Sequence, residues 1–194
     1  DDYDVDDILE KTGLPCFVKP NRGGSSFGVT KVTDRDELPG AIDKAFEEDY
    51  EILVEEYLDG MELTCGLIKS EGKAWVFPPT EIVSKKEFFD YEAKYTKGMA
   101  DEITPARISK ELDRHVRELS SRIYDLFDCR GIVRIDYIHA NNKLYFMEVN
   151  TIPGMSAASI VPQQIEAYGM SLREVFSLAI EDAVTHNRKE GIRK

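Results

Sequence analysis

The sequence predicts an α+β fold, on two observations. Helical and extended segments are mixed along the chain without the regular alternation of strand and helix that a doubly wound parallel sheet requires. The helical segments carry apolar residues at spacings of three and four, whereas the extended segments are short and bounded by turn residues. Hydrophobic residues make up 42% of the chain, which supplies enough apolar surface for a core.

The first part of the chain alternates short helices and strands around a glycine-rich loop at 20–28. In chain order, its predicted elements are a short helix stopped by Gly13, strands at 16–19 and 29–32, a helix from the cap Asp34 to about 49, and strands at 52–56 and 63–68.

The second part has longer elements. In chain order, these are short strands within 75–83, a long functional loop at 84–105, a helix capped by Ser109, a hairpin of strands at 132–138 and 144–149, and helices at 159–168 and after Ser171. The helix after Ser109 has apolar residues at spacings of four and three, which predicts one buried stripe. Ser171 and Glu174 have the spacing of a capping box.

Charge and cysteine content exclude several classes of protein. With 25 Lys plus Arg against 37 Asp plus Glu, the formal net charge is −12, which argues against a general nucleic-acid binder. No apolar run approaches the ~18 residues that cross a bilayer, so no membrane association is expected. Three separated cysteines, Cys16, Cys65 and Cys129, predict buried reduced thiols in the cytoplasm. Because the first residue is Asp1 and not Met, we expect the chain to be a piece of a longer protein.

The glycine-rich loop lies between two predicted strands and matches neither a Walker A motif nor a dinucleotide-binding fingerprint. Its glycines allow backbone N–H groups to approach an anion closely, and its serines offer hydroxyl groups. Lys19 and Arg22 add positive charge beside it. The loop is therefore either a flap over phosphates or an ordinary hairpin tip.

Four polar residues are paired along the predicted hairpin. Arg134 and Asp136 share one face of the first strand, and Glu148 and Asn150 share one face of the second. A three-residue turn at 141–143, or an equivalent bulge, would place Asp136 opposite Glu148 and Arg134 opposite Asn150. This register also places Val133, Ile135 and Tyr137 on one apolar face with Tyr145, Met147 and Val149.

Two opposed carboxylates repel each other unless a cation lies between them. Mg²⁺ takes oxygen ligands and is held in proteins by one or two carboxylates plus phosphates, which fits Asp136, Glu148 and the amide oxygen of Asn150. The alternative is a solvated sheet face on which Arg134 pairs with its acidic neighbours. After the hairpin, a turn offers the N–H of Gly154 to a developing oxyanion.

Five ordered motifs resemble those of a known family. They are Phe17-Val18-Lys19-Pro20 with Gly24-Ser25-Ser26-x-Gly28, Glu55-x-Tyr57-Leu58-x-Gly60-x-Glu62-Leu63-Thr64, Tyr91-Glu92-Ala93-Lys94-Tyr95, Arg134-Ile135-Asp136, and Glu148-Val149-Asn150-Thr151-x-Pro153-Gly154-Met155. Over about residues 5–185 the chain is similar to the ATP-grasp part of the D-alanine-D-alanine ligase family.

The resemblance implies an ATP-grasp fold, with two α+β subdomains that bind ATP between them. It assigns 1–57 to the remainder of the central subdomain with the glycine-rich flap, and 58–186 to the C-terminal subdomain with the metal and substrate site. The basic tail at 187–194 is not covered. The family's N-terminal domain is absent, so we expect the chain alone to lack full activity.

The implied activity is the ATP-dependent ligation of two D-alanines to D-alanyl-D-alanine for peptidoglycan synthesis, through a D-alanyl phosphate. The implied cofactors are ATP and Mg²⁺ or Mn²⁺, with two ions. The implied partner is D-alanine, with a homodimer formed through the absent N-terminal domain.

The resemblance also implies a role for individual residues. The metal ligands would be Asp136, Glu148 and Asn150. The catalytic set would be Arg134 and Gly154, which stabilise developing charge, with Ser25 and Tyr95, which help to close the loop. Ser159 would hold the carboxylate of the second substrate, although serine is equally expected there as a helix cap. The ATP-binding residues would be Lys19, Ser26, Glu55, Glu56, Leu58, Glu62 and Lys94.

Three other functions are also compatible with the sequence. A D-alanine:D-lactate ligase is close in sequence pattern, but Tyr95 in its context favours the dipeptide enzyme. Another ATP-grasp carboxylate-amine ligase would differ in its substrates. A nucleotide-binding module without catalysis would bind Mg-ATP and not turn it over.

Overall fold

The computed structural model describes residues 3–23, 27–84 and 100–191. Contacts between Cα atoms divide the chain into two compact units. The first contains the described residues up to Asp59 together with Ser84 and Ala100, and the second contains Gly60–Val83 and the described residues from Asp101 onward. Each unit has helices and an antiparallel sheet, which confirms the predicted α+β class.

The first unit is a three-stranded sheet with two helices. Its elements are α1 (Val5–Thr12), β1 (Cys16–Pro20), β2 (Thr30–Val32), α2 (Leu38–Phe46) and β3 (Ile52–Glu56), and the strand order is β2-β1-β3. Cys16 and Val18 of β1 lie at the centre of its core, with Leu38 and Ile42 of α2 against them.

The predicted helix after Asp34 is shorter than expected. Asp34 caps a single 3-10 turn, Arg35–Glu37, through a capping box with Glu37. The α-helix begins at Leu38, with a proline in its first turn, and ends at Phe46 rather than near residue 49.

The second unit is a six-stranded sheet with helices on both faces, and the pairs among β4, β5, β6, β8 and β9 are antiparallel. Its strands are β4 (Met61–Ser70), β5 (Lys73–Val76), β6 (Thr80–Ser84), β7 (Ala100–Ile103), β8 (Ile132–Ala140) and β9 (Lys143–Asn150), in the order β7-β6-β4-β8-β9 with β5 also on β4. Its helices are α3 (Lys110–Leu126), α4 (Ile160–Tyr168) and α5 (Leu172–Gly191). The prediction of loop throughout 84–105 was wrong at β7; residues 85–99 lie outside the described part.

Two separate apolar clusters hold the helices on this sheet. Val116 and Ile123 of α3 pack on the face that carries Ile135. Val161 of α4 and Val175 of α5 pack on the other face, against Ile68. The three cysteines are buried and unpaired, as the sequence predicted. Within the described residues, none of the helices combines the length and apolarity needed to cross a membrane.

The hairpin has the predicted pairing at its functional end, reached through a bulge. Its turn holds two residues, Asn141 and Asn142, both with positive φ, and Ala140 pairs with Lys143. A register shift between Asp136 and Tyr137 then restores the pairing of Asp136 with Glu148.

The bulge also reverses which side chains of β9 face the core near the hairpin tip. Tyr137 pairs with Phe146, and Leu144 and Val149 pack against the core cluster. The prediction that Tyr145 shares this face was therefore wrong, because one inserted residue exchanges the two sides of a strand. Met147 is the inserted residue, and the register leaves it without a partner on β8.

Gly60 lies where a side chain would collide with a neighbouring backbone. A Cβ atom there would be 2.6 Å from the carbonyl oxygen of His139 and 2.8 Å from Cβ of Ala140. We expect Gly60→Ala to lower the free energy of unfolding by about 1–3 kcal/mol. Gly40→Ala in α2 is the control, since nothing lies within 4 Å of its Cβ, and it should raise the free energy by about 0.4–1 kcal/mol. Urea unfolding followed by circular dichroism measures both; equal effects would contradict this prediction.

Glu81 of β6 is a buried carboxylate paired with Arg107. The Nε and Nη2 atoms of Arg107 donate to it at 2.8 and 2.7 Å. These hydrogen bonds hold the pKa of Glu81 below its ordinary 4.5, against burial, which raises it. A lowered carboxylate pKa stabilises the fold above the unfolded-state pKa, and this contribution is lost as pH falls through the folded-state value.

We therefore expect Arg107→Met to destabilise the protein at neutral pH, with a deficit that shrinks below about pH 4.5. Urea unfolding at a series of pH values measures the deficit. Arg114→Met is the control, because Arg114 and Glu118 are both exposed and 3.9 Å apart. A deficit for Arg107→Met that stays constant with pH would contradict the argument.

Candidate active site

The candidate site lies on the face of the second sheet that α4 and α5 partly cover. Three rows of residues cross this face: Thr64–Asp136–Glu148, Gly66–Arg134–Asn150 and Ile68–Ile132. Ile68 is buried under the two helices. The helices therefore cover the row at Ile68, and the two polar rows follow next to it on the same face.

Arg134 and Asp136 form a two-pronged ion pair. Nε of Arg134 donates to Oδ1 of Asp136 at 2.9 Å, and Nη2 donates to Oδ2 at 2.8 Å. Burial lowers the pKa of Arg134, but the hydrogen bonds and charge of Asp136 outweigh it and leave that pKa raised. The guanidinium is thus permanently charged and held in a fixed plane.

Two further side chains donate to the same carboxylate. Thr64 Oγ1 donates to Oδ1 of Asp136 at 2.5 Å, and Nδ2 of Asn150 donates to Oδ2 at 2.9 Å. Nδ2 of Asn150 also donates to Oε1 of Glu148 at 3.2 Å. The residues that the sequence placed in the metal site are therefore in direct contact on one sheet face.

The donor set fits a magnesium ion. Two carboxylates and an amide converge from adjacent strands, and oxygen ligands of this kind suit Mg²⁺. The part of the chain that the structure describes holds no cluster of three His, Cys, Asp or Glu side chains suited to a metal. Asn150 could offer its amide oxygen to such an ion only with the amide turned, because Nδ2 donates to Asp136 and Glu148 here. Arg134 pairs with its acidic neighbour here, as the alternative interpretation of the hairpin expected.

The turn after β9 brings Gly154 next to Ser159. A Cβ atom on Gly154 would be 2.9 Å from Oγ of Ser159. Gly154 N–H has no hydrogen-bond acceptor among the described residues, so it is available as a donor. Ser159 is the cap residue of α4, but its hydroxyl lies 2.8 Å from that of Ser156 and makes no cap hydrogen bond. The hydroxyl of Ser159 is therefore not used to cap α4.

The ATP-binding residues predicted in the first unit include an ion pair. Lys19 of β1 and Glu55 of β3 lie on one face, with Nζ 2.7 Å from Oε2. Glu56 is exposed at the end of β3, and Leu58 is half-buried. Glu62 lies on β4 in the second unit. Ser25, Ser26, Lys94 and Tyr95 lie outside the described residues.

Sequence reasoning missed three residues near Arg134 and Asp136. Thr64 lies in one of the five motifs, and its alternation with the apolar Leu63 and Cys65 along β4 was the available signal. Gln164 is a buried amide on α4 that donates to the carbonyl oxygen of Thr64 at 2.9 Å. Glu102 of β7 accepts a hydrogen bond from Gln163 and adds negative charge near Arg134. Neither Gln164 nor Glu102 carried a signal in the sequence pattern.

Comparison with known proteins identifies the family of this chain. The family model described as D-ala D-ala ligase C-terminus matches residues 2–181. The chain is 54% identical over 178 residues to a D-alanine–D-alanine ligase of Bacteroides fragilis, covering 91% of this chain and 55% of that protein. It thus spans about half the length of the curated relatives it matches.

Solved structures agree with the sequence comparison. The VanG D-Ala:D-Ser ligase from Enterococcus faecalis superposes with a TM-score of 0.80 at 36% identity, over 90% of this chain and 51% of that one. The D-alanine–D-alanine ligase from Bacillus anthracis complexed with ATP superposes with a TM-score of 0.77 at 34% identity, over 98% and 60%. The two units have the ATP-grasp fold of these ligases, as the sequence predicted. The chain therefore belongs to the D-Ala-D-Ala ligase C-terminus family.

Proposed function

We propose that this chain carries the catalytic part of an ATP-dependent ligase that forms D-alanyl-D-alanine for peptidoglycan synthesis. The observation that supports it most is the convergence of Arg134, Asp136, Glu148 and Asn150 on one sheet face. A carboxylate pair with an adjacent arginine suits the transfer of a phosphoryl group from a metal-bound nucleotide.

The proposed reaction has two steps. A carboxylate oxygen of the first D-alanine attacks the γ-phosphorus of ATP, an O–P bond forms, and the bond to the β-phosphate oxygen breaks to release ADP. The amine of the second D-alanine then attacks the acyl carbon. A C–N bond forms, phosphate leaves with the C–O electron pair, and the amine gives up a proton.

In this scheme each residue near the reacting atoms meets developing negative charge. Arg134 leaves Asp136 and binds oxygens of the transferring phosphoryl group, and Gly154 N–H donates to the oxyanion on the acyl carbon. Ser159 holds the carboxylate of the second D-alanine. Asp136, Glu148 and Asn150 would hold Mg²⁺ or Mn²⁺, as two ions, and the metal would neutralise phosphate charge.

The remaining predicted residues bind ATP in the proposed scheme. Lys19, Ser26 and Lys94 contact phosphates, and Ser25 and Tyr95 help to close the loop over the substrate. Glu55 accepts from the exocyclic amine of adenine, with the backbone of 56–58 along the ring edge and Glu62 on the ribose. Lys19 must exchange its ion pair with Glu55 for phosphate when ATP binds.

The test is ADP release coupled to NADH oxidation, with D-alanine as substrate and the protein at its full encoded length. We expect release that depends on D-alanine and Mg²⁺, with D-alanyl-D-alanine as the product. The same assay with D-lactate or D-serine beside D-alanine identifies the product by mass, since one structural neighbour is a D-Ala:D-Ser ligase. Tight Mg-ATP binding without turnover would overturn the ligase assignment and favour a nucleotide-binding module.

We also propose that the protein acts in the cytoplasm, where ATP is available, and forms a homodimer at its full encoded length. Light scattering after gel filtration tests the assembly.

A further inference from the structure

Thr64 lies in the middle of β4, directly opposite Asp136. Its side chain is almost fully buried, with 3% of the residue exposed. Its hydroxyl donates to Oδ1 of Asp136 at 2.5 Å. A hydrogen bond from a buried hydroxyl to an ionised carboxylate is of the stronger, charge-assisted kind.

Arg134 and Asn150, which also donate to Asp136, have other roles in the proposed reaction. Arg134 turns to the phosphoryl group, and Asn150 turns its amide oxygen to the cation. Both movements remove hydrogen bonds from Asp136. Thr64 binds neither substrate nor metal in the scheme, so its hydrogen bond to Oδ1 remains and fixes the carboxylate.

Thr64 itself is held by Gln164 of α4, which is completely buried. Nε2 of Gln164 donates to the carbonyl oxygen of Thr64 and to Oγ1 of Thr80, at 2.9 and 3.0 Å. Its Oε1 accepts from the N–H of Gly66 at 2.8 Å. Gln164 thus holds the backbone that directly follows the Thr64 side chain, which restricts the position of the hydroxyl.

We propose that Thr64 is a positioning residue that orients the carboxylate of Asp136 toward the divalent cation. The proposal rests on the proposed function, because it takes Asp136 as a metal ligand. Partners behind a metal ligand commonly change metal affinity by about 10–100-fold when they are removed. The hydroxyl of Thr64, rather than its bulk, carries the effect.

The experiment measures Mn²⁺ binding in the presence of ADP, by electron paramagnetic resonance, so that turnover plays no part. Thr64→Val keeps the shape and removes the hydroxyl, and Thr64→Ala is a second variant without it in case the first fails to fold. Thr64→Ser keeps the hydroxyl. Thr80→Val is the matched control, because Thr80 lies opposite Thr64 and contacts Gln164.

We expect Thr64→Val and Thr64→Ala to weaken Mn²⁺ binding by about tenfold or more, and Thr64→Ser to stay within roughly threefold of the unmodified protein. Thr80→Val should lower the melting temperature and leave Mn²⁺ affinity unchanged. Unchanged affinity in Thr64→Val, an equal loss in Thr80→Val, or no rescue by Thr64→Ser each overturns the positioning role. Failure of the unmodified protein to bind Mn²⁺ with ADP would overturn the metal site, and this proposal with it.

Discussion

Arg134→Ala is expected to reduce the turnover of the protein at its full encoded length by at least about 10³-fold, while the fold is kept. An arginine that contacts a transferring phosphoryl group contributes roughly 10³–10⁵ in rate, since its charge is needed most when negative charge spreads over the phosphoryl oxygens. The side chain is 23% exposed, and its ion pair with Asp136 is partly exposed. Its loss should therefore leave the circular dichroism spectrum unchanged.

A second arginine of the same unit provides a close control. Arg130 also pairs with an aspartate two residues away, Asp128, at 2.9 Å, but both side chains are exposed. Arg130→Ala should leave turnover unchanged. Arg134→Lys keeps the charge but loses the two-pronged geometry, so it should retain more activity than Arg134→Ala. A near-normal rate in Arg134→Ala would remove Arg134 from the catalytic set.

Glu148→Gln is expected to raise the Mg²⁺ concentration needed for half-maximal ADP release by at least about tenfold. The change removes one of the two proposed carboxylate ligands, and the affinity of such a site depends on ligand charge. It also removes the repulsion between two carboxylates on adjacent strands, which costs about 0.2–1 kcal/mol. The melting temperature without metal should therefore rise slightly, while the metal requirement increases.

A slightly higher melting temperature together with a higher metal requirement distinguishes a metal ligand from a residue with a structural role. A structural carboxylate would lose stability on substitution and leave the metal requirement as it was. Glu118→Gln on the exposed surface of α3 is the control and should change neither quantity. An unchanged metal dependence in Glu148→Gln would exclude Glu148 from the ligand set.

The pairing of the polar residues on the hairpin was predictable because side chains alternate along a strand. Arg134 and Asp136 fall on one face whatever the turn, and the apolar Val133, Ile135 and Tyr137 define the other. The requirement that like faces meet then selected the register with Asp136 opposite Glu148. Burial on one face thus fixed the functional half of the hairpin.

The position of the bulge could not be predicted, because several turn lengths give the same pairing at the functional end. The boundary between the 3-10 turn and α2 depends on the capping box at Asp34, which satisfies backbone donors before the α-helix begins. The contact of Gln164 with Thr64 joins residues 100 positions apart. Contacts of this kind depend on how a helix is placed on the sheet, and local sequence patterns do not record that placement.

Gln164 has a mechanical consequence for the helix to which it belongs. Its amide hydrogen-bonds the C=O of Thr64 and the N–H of Gly66 on β4, and so attaches the middle of α4 to the sheet. Ser159 is the cap residue of the same helix. Ser159 is therefore linked, through α4 and Gln164, to the strand that pairs with Asp136. A displacement of α4 would therefore shift the cap residue Ser159 and the backbone at Thr64 together.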